Sequence, residues 1–201
     1  MGQALAIYKP RRGEAPLWDF PPGTLYKREY ASFVLARALG WDFIPPTAIA
    51  SGPYGIGSMQ LYVESDSSVS LQGLGPEWRL SLQRIMTFDW IANNADRKSS
   101  HCFVGSAGRM WGIDHGLTFN AQAKLRTVIW AFDGETIPDS IMADLSALRS
   151  NQFRFDELIR SLGSLLDQQE VGSFVERYKS LTNSGQFPKM DPYKNIPFGF
   201  W

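Results

Sequence analysis

Cysteine is almost missing from this 201-residue chain, with Cys102 its sole example. A lone thiol excludes an internal disulfide and any cysteine-rich zinc site. Histidine is nearly as scarce: there are two, His101 and His115, and with Cys102 they lack any usual zinc-ligand spacing. Excess charge is missing too, since twenty Lys and Arg stand against twenty Asp and Glu. That argues against a general nucleic-acid binder, whose affinity comes from surplus phosphate-facing charge. No apolar run reaches the roughly eighteen residues of a spanning helix, so no transmembrane segment is expected. The first residues, Met1-Gly2-Gln3-Ala4-Leu5-Ala6, carry neither the basic nor the apolar region of a signal peptide. Ala6 also stands where a myristoylation signal has Ser or Thr. A soluble, cytoplasmic protein is the expectation. Internal repeats and low-complexity segments are absent as well.

What is present concentrates in residues 88–101, Phe-Asp-Trp-Ile-Ala-Asn-Asn-Ala-Asp-Arg-Lys-Ser-Ser-His. An apolar run ending in Asn-Asn-Ala-Asp-Arg reads as a buried helix that empties into a polar loop. Residues 102–104 and 110–113 then read as two strands around a Gly105-Ser106-Ala107-Gly108 turn. Such a hairpin returns Asp114 to the end of the molecule that carries Asp96. Two carboxylates brought together from separate loops suit metal-assisted transfer better than packing.

The remaining pattern reads as α+β. Residues 4–9 are a short strand, and 10–24 form an irregular loop rich in proline. Thr24 can cap a helix in which Tyr26, Tyr30, Phe33, Val34 and Ala38 recur at helical spacing, with Gly40 as its stop. Residues 44–50 and 58–63 are strands joined by a turn-rich hairpin at 52–57. The polar stretch 64–76 is the best linker. Beyond it come a buried helix at 78–92 and amphipathic helices at 138–148, 155–166 and 169–181. The tail 187–201, with three prolines and five aromatics, reads as an irregular strap over the helical part. Trp78, Trp90, Trp111 and Trp130 are expected in the core. The division expected is 1–64 and 65–201.

Asn94-Ala95-Asp96-Arg97, followed by a strand and Ile113-Asp114-His115-Gly116-Leu117, resembles the catalytic loop and metal-binding motif of atypical kinases. The type II phosphatidylinositol 4-kinases and HipA-like kinases carry Asn-x-Asp-Arg and Ile-Asp-x-Gly in this order. Tyr8-Lys9-Pro10 with Glu14-Ala15-Pro16, Arg28-Glu29 and Ile44-Pro45-Pro46-Thr47 are similar to segments of the same lipid kinases. From about Ile7 onward the chain resembles a bacterial family of unassigned role, related to phosphatidylinositol 3- and 4-kinases. Its marks are Tyr8-Lys9-Pro10, Pro16-Leu17-Trp18-Asp19-Phe20-Pro21, the stretch 93–98 and Lys124-Leu125-Arg126-Thr127.

The resemblance implies a two-lobed, protein-kinase-like fold with a reduced N-lobe and a mostly helical C-lobe. It implies a metal-dependent, ATP-binding phosphotransferase using Mg2+ or Mn2+. Lys9 would hold the α- and β-phosphates with Glu29 as its partner, although Glu14 is a rival for that pairing. Asp96 would orient the acceptor hydroxyl and take its proton. Arg97 beside it has a structural or charge-balancing role. Asp114 would hold the metal through hard oxygen ligands, and Gln60, Tyr62 and Val63 would meet the adenine. Lys124 and Arg126 lie where substrate-selecting residues sit; they suit an anionic acceptor or, equally, a structural ion pair.

Two positions depart from the pattern. His101 replaces an asparagine that binds a second metal. It would ligate more weakly, favour manganese, or only hydrogen-bond within its loop. Lys9 also stands too near the first residue for a glycine-rich hairpin to precede its strand. The expectation is open, weak nucleotide binding, a shortened chain or a start set elsewhere. Gly55-Ile56-Gly57-Ser58, in a later hairpin, reads as a turn. The acceptor is unknown: a protein, a small molecule or a lipid head group. The competing class is a pseudokinase-type nucleotide-binding or interaction module without transfer.

Overall fold

The computed structural model describes residues 4–66 and 73–197. Strand β1 (Ala6–Pro10) leads through a short 3-10 turn into a loop, then helix α1 (Leu25–Ala38), strands β2 (Thr47–Gly52) and β3 (Gly55–Leu61), and helix α2 (Arg79–Ala92). Strands β4 (Cys102–Gly105) and β5 (Arg109–Gly112) follow, then helices α3 (Asp139–Ser150), α4 (Gln152–Gly163) and α5 (Gln168–Ser184). The chain is therefore α+β, with a small sheet and several helices.

The first sheet is antiparallel in the order β1-β3-β2. Its register places Lys9 opposite Ser58 and Thr47 opposite Gln60. The Tyr8 hydroxyl donates to Gly55 O, closing the β2–β3 turn onto β1. Helix α1 packs on this sheet and also meets α4. Its inward face mixes Ala31 and Leu35 with Arg28, Glu29 and Ser32, all buried. That mixture marks a helix packed against a polar site as well as a core.

Thr24 precedes α1, but its side chain caps nothing. Its hydroxyl donates to Pro21 O, while the Glu14 carboxylate accepts the Tyr26 amide at 3.0 Å. A capping oxygen thus arrives from a preceding loop instead of from the residue next to the helix. The far end closes as foreseen: Gly40 takes φ 73, and Trp41 N donates to Ala36 O at 2.9 Å. This left-handed glycine satisfies a last-turn carbonyl.

The stretch read as a linker begins as structure. Ser65 bridges to Gly105, and the Asp66 amide donates to Val104 O at 2.8 Å, so residues 64–66 line the edge of β4. Within that stretch 67–72 lie outside the described residues, and Pro76 already opens a 3-10 turn ending at Trp78. Helix α4 starts three residues earlier than its apolar pattern, because Asn151 Oδ1 accepts the Arg154 amide and provides the cap. The strap reading holds up to residue 197. Phe187 is buried, and Asn195 exchanges bonds with Thr127 and Leu125; residues 198–201 lie outside the described ones.

A contiguous core runs from Ala31 and Leu35 through Ile85 and Phe88 to Ile141, Leu145, Phe174 and Tyr178. Trp41 belongs to it, at 3% exposure. Trp78 and Trp90 only pack against its edge, and the Arg109 guanidinium stacks on Trp111. The Trp41 indole N–H donates to Asp144 at 2.8 Å, whereas that of Trp90 is buried without a partner. Trp130 has one in Thr127 O.

Candidate functional site

Helix α2 ends in left-handed Asn93 (φ 53), whose side chain accepts Lys124 N and donates to Asn120 O and Gln122 O. Asparagine tolerates this conformation, and its short amide ties the turn to the 120–124 segment. Asn94 next to it donates to Asp89 Oδ1 and accepts the Asp96 amide at 3.0 Å. The peptide carrying Asp96 is therefore fixed by a side chain, not by helix or strand pairing.

Beneath this loop lies a buried ionic group. Asp89 accepts two bonds from Arg97, Nε to Oδ2 and Nη2 to Oδ1, both 2.8 Å, with both side chains fully buried. The fork geometry suits a desolvated pair. Arg97 also donates to Ile113 O at 2.9 Å and to His115 Nε2 at 2.8 Å, so it holds the 93–98 loop against the 113–115 loop. That is the charge-balancing role expected of it. Because a guanidinium only donates, Nε2 of His115 must accept, which puts the ring proton on Nδ1. Nδ1 is buried without a partner, beside the Phe43 and Phe88 rings. Burial and the Arg97 charge push the His115 pKa well below the usual imidazole range.

Over this floor, elements far apart in the chain meet at one ammonium. Lys9 Nζ lies 2.5 Å from Glu29 Oε1 and 2.8 Å from Asp114 Oδ1. Glu29 is 3% exposed and its second oxygen accepts the His115 amide at 3.0 Å. Asp114 sits at φ 59, a left-handed position that turns its carboxylate back toward Lys9. Burial opposes charge on Lys9, but Glu29 and then Asp114 outweigh it and raise its pKa. Burial raises the Glu29 pKa, with the Asp114 charge adding to that and Lys9 pulling against it. For Asp114 burial acts upward, yet the Lys9 charge and hydrogen bond prevail and hold it low.

Lys9, Glu29, Asp96 and Asp114 line one cavity of about 540 Å³, with Leu25 and Leu117 on its apolar side. Lys98 Nζ lies 2.9 Å from Asp96 Oδ2. His101 Nε2 lies 3.4 Å from Asp114 Oδ2, and its Nδ1 accepts the Lys98 amide at 3.4 Å. The ring thus accepts one hydrogen bond within its own loop and faces Asp114 with its other nitrogen. Burial lowers the His101 pKa against the pull of Asp114, and with Nδ1 accepting, the neutral ring carries its proton on Nε2.

Four of the expected site residues therefore share the cavity, and His101 touches it through Asp114. Gln60, Tyr62 and Val63 do not line it. Gln60 is buried and donates to Thr47 Oγ1, the Tyr62 amide is spent on Leu5 O, and Val63 faces Gly105. Glu14 reaches Tyr26 and leaves Lys9 to Glu29. Lys124 Nζ pairs with Asp19 at 3.1 Å, nearly buried, under the exposed Trp18 ring. Arg126 reaches toward Ala95 O, behind the loop that bears Asp96.

No protein-family model matches the chain. It is 32% identical over 227 residues to Protein Rv2133c of Mycobacterium tuberculosis, spanning 96% of this chain and 81% of that protein. The chain belongs to the family of Rv2133c.

This chain supports its site with residues to which the motifs gave no role: Asp89, Asn94, His115 and Asp19. Asp89 had a legible signal, since an acid inside an apolar helix demands a partner and Arg97 follows eight residues later. Asp19 had none, because its partner lies more than a hundred residues away. As for metal, the described residues hold no group of three or more His, Cys, Asp or Glu placed to cage an ion. Asp114 is the available hard ligand, with His101 beside it. Magnesium commonly takes one or two carboxylates and completes its shell with phosphate and water, so this donor set fits such an ion. No helix among the described residues is long and apolar enough to cross a membrane.

Proposed function

We propose that this protein is a metal-dependent, ATP-binding phosphotransferase of the atypical kinase type, acting in the cytoplasm on an unidentified acceptor. The same proposal takes β1 to β3 with α1 as a reduced nucleotide-side lobe and the remainder as the catalytic lobe. It also takes the Rv2133c family as akin to the phosphatidylinositol 3- and 4-kinase-related and HipA-like kinases. One observation carries it: Lys9 bridges Glu29 and Asp114, residues 20 and 105 positions away, in a cavity that Asp96 also lines. An internal ion pair alone needs one acid; a cation and two acids lining one cavity suit a phosphate ligand that arrives with a metal ion.

Each side chain has a task in this reading. Glu29, fixed by the His115 amide, keeps the Lys9 ammonium aimed into the cavity. Lys9 contributes a point charge for phosphate oxygens. A bound magnesium or manganese ion would neutralise phosphate charge and orient the transferred group. Asp114, turned inward by its left-handed backbone, would exchange Lys9 for that ion. Asp96, held by Asn94 and flanked by Lys98, would align the acceptor hydroxyl and take its proton.

A second reading, a nucleotide-binding or interaction module without transfer, is favoured by a separate feature. Both Asp114 oxygens already have protein donors, Lys9 on one and His101 on the other. Turnover of ATP with magnesium or manganese separates the two. Asp114→Asn should weaken metal-dependent ATP binding itself. Asp96→Asn should keep ATP affinity within about twofold while lowering transfer by about 10²–10⁴-fold. If ATP with either metal neither turns over nor raises the melting temperature of the parent, the phosphotransferase reading is wrong.

A further inference from the structure

A second cavity, of about 450 Å³, lies between the turn after β1 and the β2–β3 hairpin. It uses none of Lys9, Glu29, Asp96 or Asp114. Arg11 and Arg12 line one side, Tyr54 and Ile56 another, and Pro22 a third. Its volume is within the usual range for small-molecule sites. Among the described residues neither guanidinium has an ion-pair partner. Arg11 is nonetheless seated. Gly23, at φ 73, presents bare backbone to it, and a Cβ there would stand 2.5 Å from Nε. Only glycine permits both the dihedral and the close approach.

Glu14 closes the cavity on the side it shares with the first one. Its Oε1 accepts the Tyr26 amide, whereas Oε2 is buried and has no hydrogen-bond partner. A desolvated carboxylate oxygen left without a donor costs free energy that a ligand hydroxyl would recover. Two unpaired guanidiniums nearby ask for the opposite chemistry, an anion able to take forked hydrogen bonds. A carboxylate ligand meets the second demand but not the first. A phosphoryl group attached to a hydroxyl-bearing ring meets both. Tyr54, 66% exposed, offers a flat apolar face to such a ring.

We propose that this cavity binds the sugar-phosphate part of a small molecule, with the phosphoryl group on Arg11 and Arg12 and a hydroxyl donated to Glu14 Oε2. The site does not depend on the phosphotransfer reading, since it shares no charged residue with it except the wall residue Glu14. The ligand comes either as a simple sugar phosphate or as a nucleotide.

Titration calorimetry at fixed ionic strength tests this with ribose 5-phosphate, ribose, inorganic phosphate and AMP. The parent should bind ribose 5-phosphate at least about tenfold more tightly than ribose, a discrimination typical of one charge-assisted contact. The double variant Arg11→Gln/Arg12→Gln should erase that preference. Glu14→Gln, which keeps an acceptor for Tyr26, should weaken ribose 5-phosphate about fivefold and leave inorganic phosphate unchanged. Lys9→Ala, outside this cavity, should leave the preference for ribose 5-phosphate over ribose in place. AMP bound more tightly than ribose 5-phosphate, with the difference lost in Tyr54→Ala, identifies a nucleotide; equal affinities identify a sugar phosphate. The arginines are exposed, so the double variant should melt with the parent and remains decisive should Glu14→Gln fail to fold. The proposal is overturned if the parent shows no preference for the phosphate ester. A preference that survives the double arginine variant, or vanishes with Lys9→Ala instead, overturns it equally.

Discussion

Asp89 and Arg97 show how much of this site rests on residues that cannot themselves reach a ligand. Taking both charges out of water is expensive, and the attraction between them mainly repays that expense. What the pair supplies is placement: Arg97 bonds Ile113 O and His115, while Asp89 holds Asn94, whose amide oxygen fixes the Asp96 backbone. Removing one partner leaves the other charge buried. Asp89→Asn should therefore destabilise the protein by about 3–5 kcal/mol, far more than an ordinary polar substitution. Asp89→Asn combined with Arg97→Met should recover part of the loss, because no buried charge then remains. Urea midpoints of the parent, single and double variants measure both effects. A single variant within about 0.5 kcal/mol of the parent would show that the pair is not desolvated as described.

The elements were largely legible in the sequence, and the exceptions have physical causes. Helices α2, α3 and α5 follow from apolar periodicity, and Asp167-x-x-Glu170 spells the start of α5 in the sequence itself. The β4–β5 hairpin followed from its glycine turn, and so did the return of Asp114 to the end that carries Asp96. Local patterns cannot show what arrives from a distance. Glu14 caps α1 from twelve residues upstream, and Asp19 claims Lys124 across more than a hundred. Gln60, Tyr62 and Val63, expected to meet adenine, do not line the cavity: the Gln60 side chain donates to Thr47 and the Tyr62 amide to Leu5 O. At α5 the local signal makes a sharp prediction. Asp167 accepts the Glu170 amide at 2.8 Å and Glu170 returns a bond to the Asp167 amide at 3.1 Å. Asp167→Ala should cost about 1 kcal/mol, while Asp167→Asn should stay within a few tenths. Chemical denaturation of the two variants decides it: equal stability for both would mean that this cap contributes nothing.

Across the whole molecule, buried polar groups stitch the sheet side to the helical side, and they give stability a pH dependence. Arg28 of α1 pairs with Glu170 of α5 at 2.5 Å and donates to Thr118 O at 2.7 Å, all within the interior. The histidines contribute to the response near neutrality. His115 titrates from 6.5 in the unfolded chain, but its folded pKa lies well below that through burial and then the Arg97 charge. As pH falls below about 6.5, the unfolded chain takes up a proton that the folded protein refuses, and stability declines. His101, also lowered, acts in the same sense, and more weakly because Asp114 opposes its burial. Glu29 acts in the opposite sense. Its raised folded pKa means that protonation favours the fold as pH drops toward 4.5. A variant isolates the His115 share. His115→Gln keeps an oxygen to accept Arg97 and removes the titrating ring. Between pH 7.5 and 5.5 the parent should lose about 1.4 kcal/mol more unfolding free energy than His115→Gln, the linkage of one proton. Urea denaturation at the two pH values gives both slopes, whatever the absolute stability of the variant. Parallel slopes would mean that His115 accepts a proton in the folded state, and then Arg97 could not be donating to its Nε2.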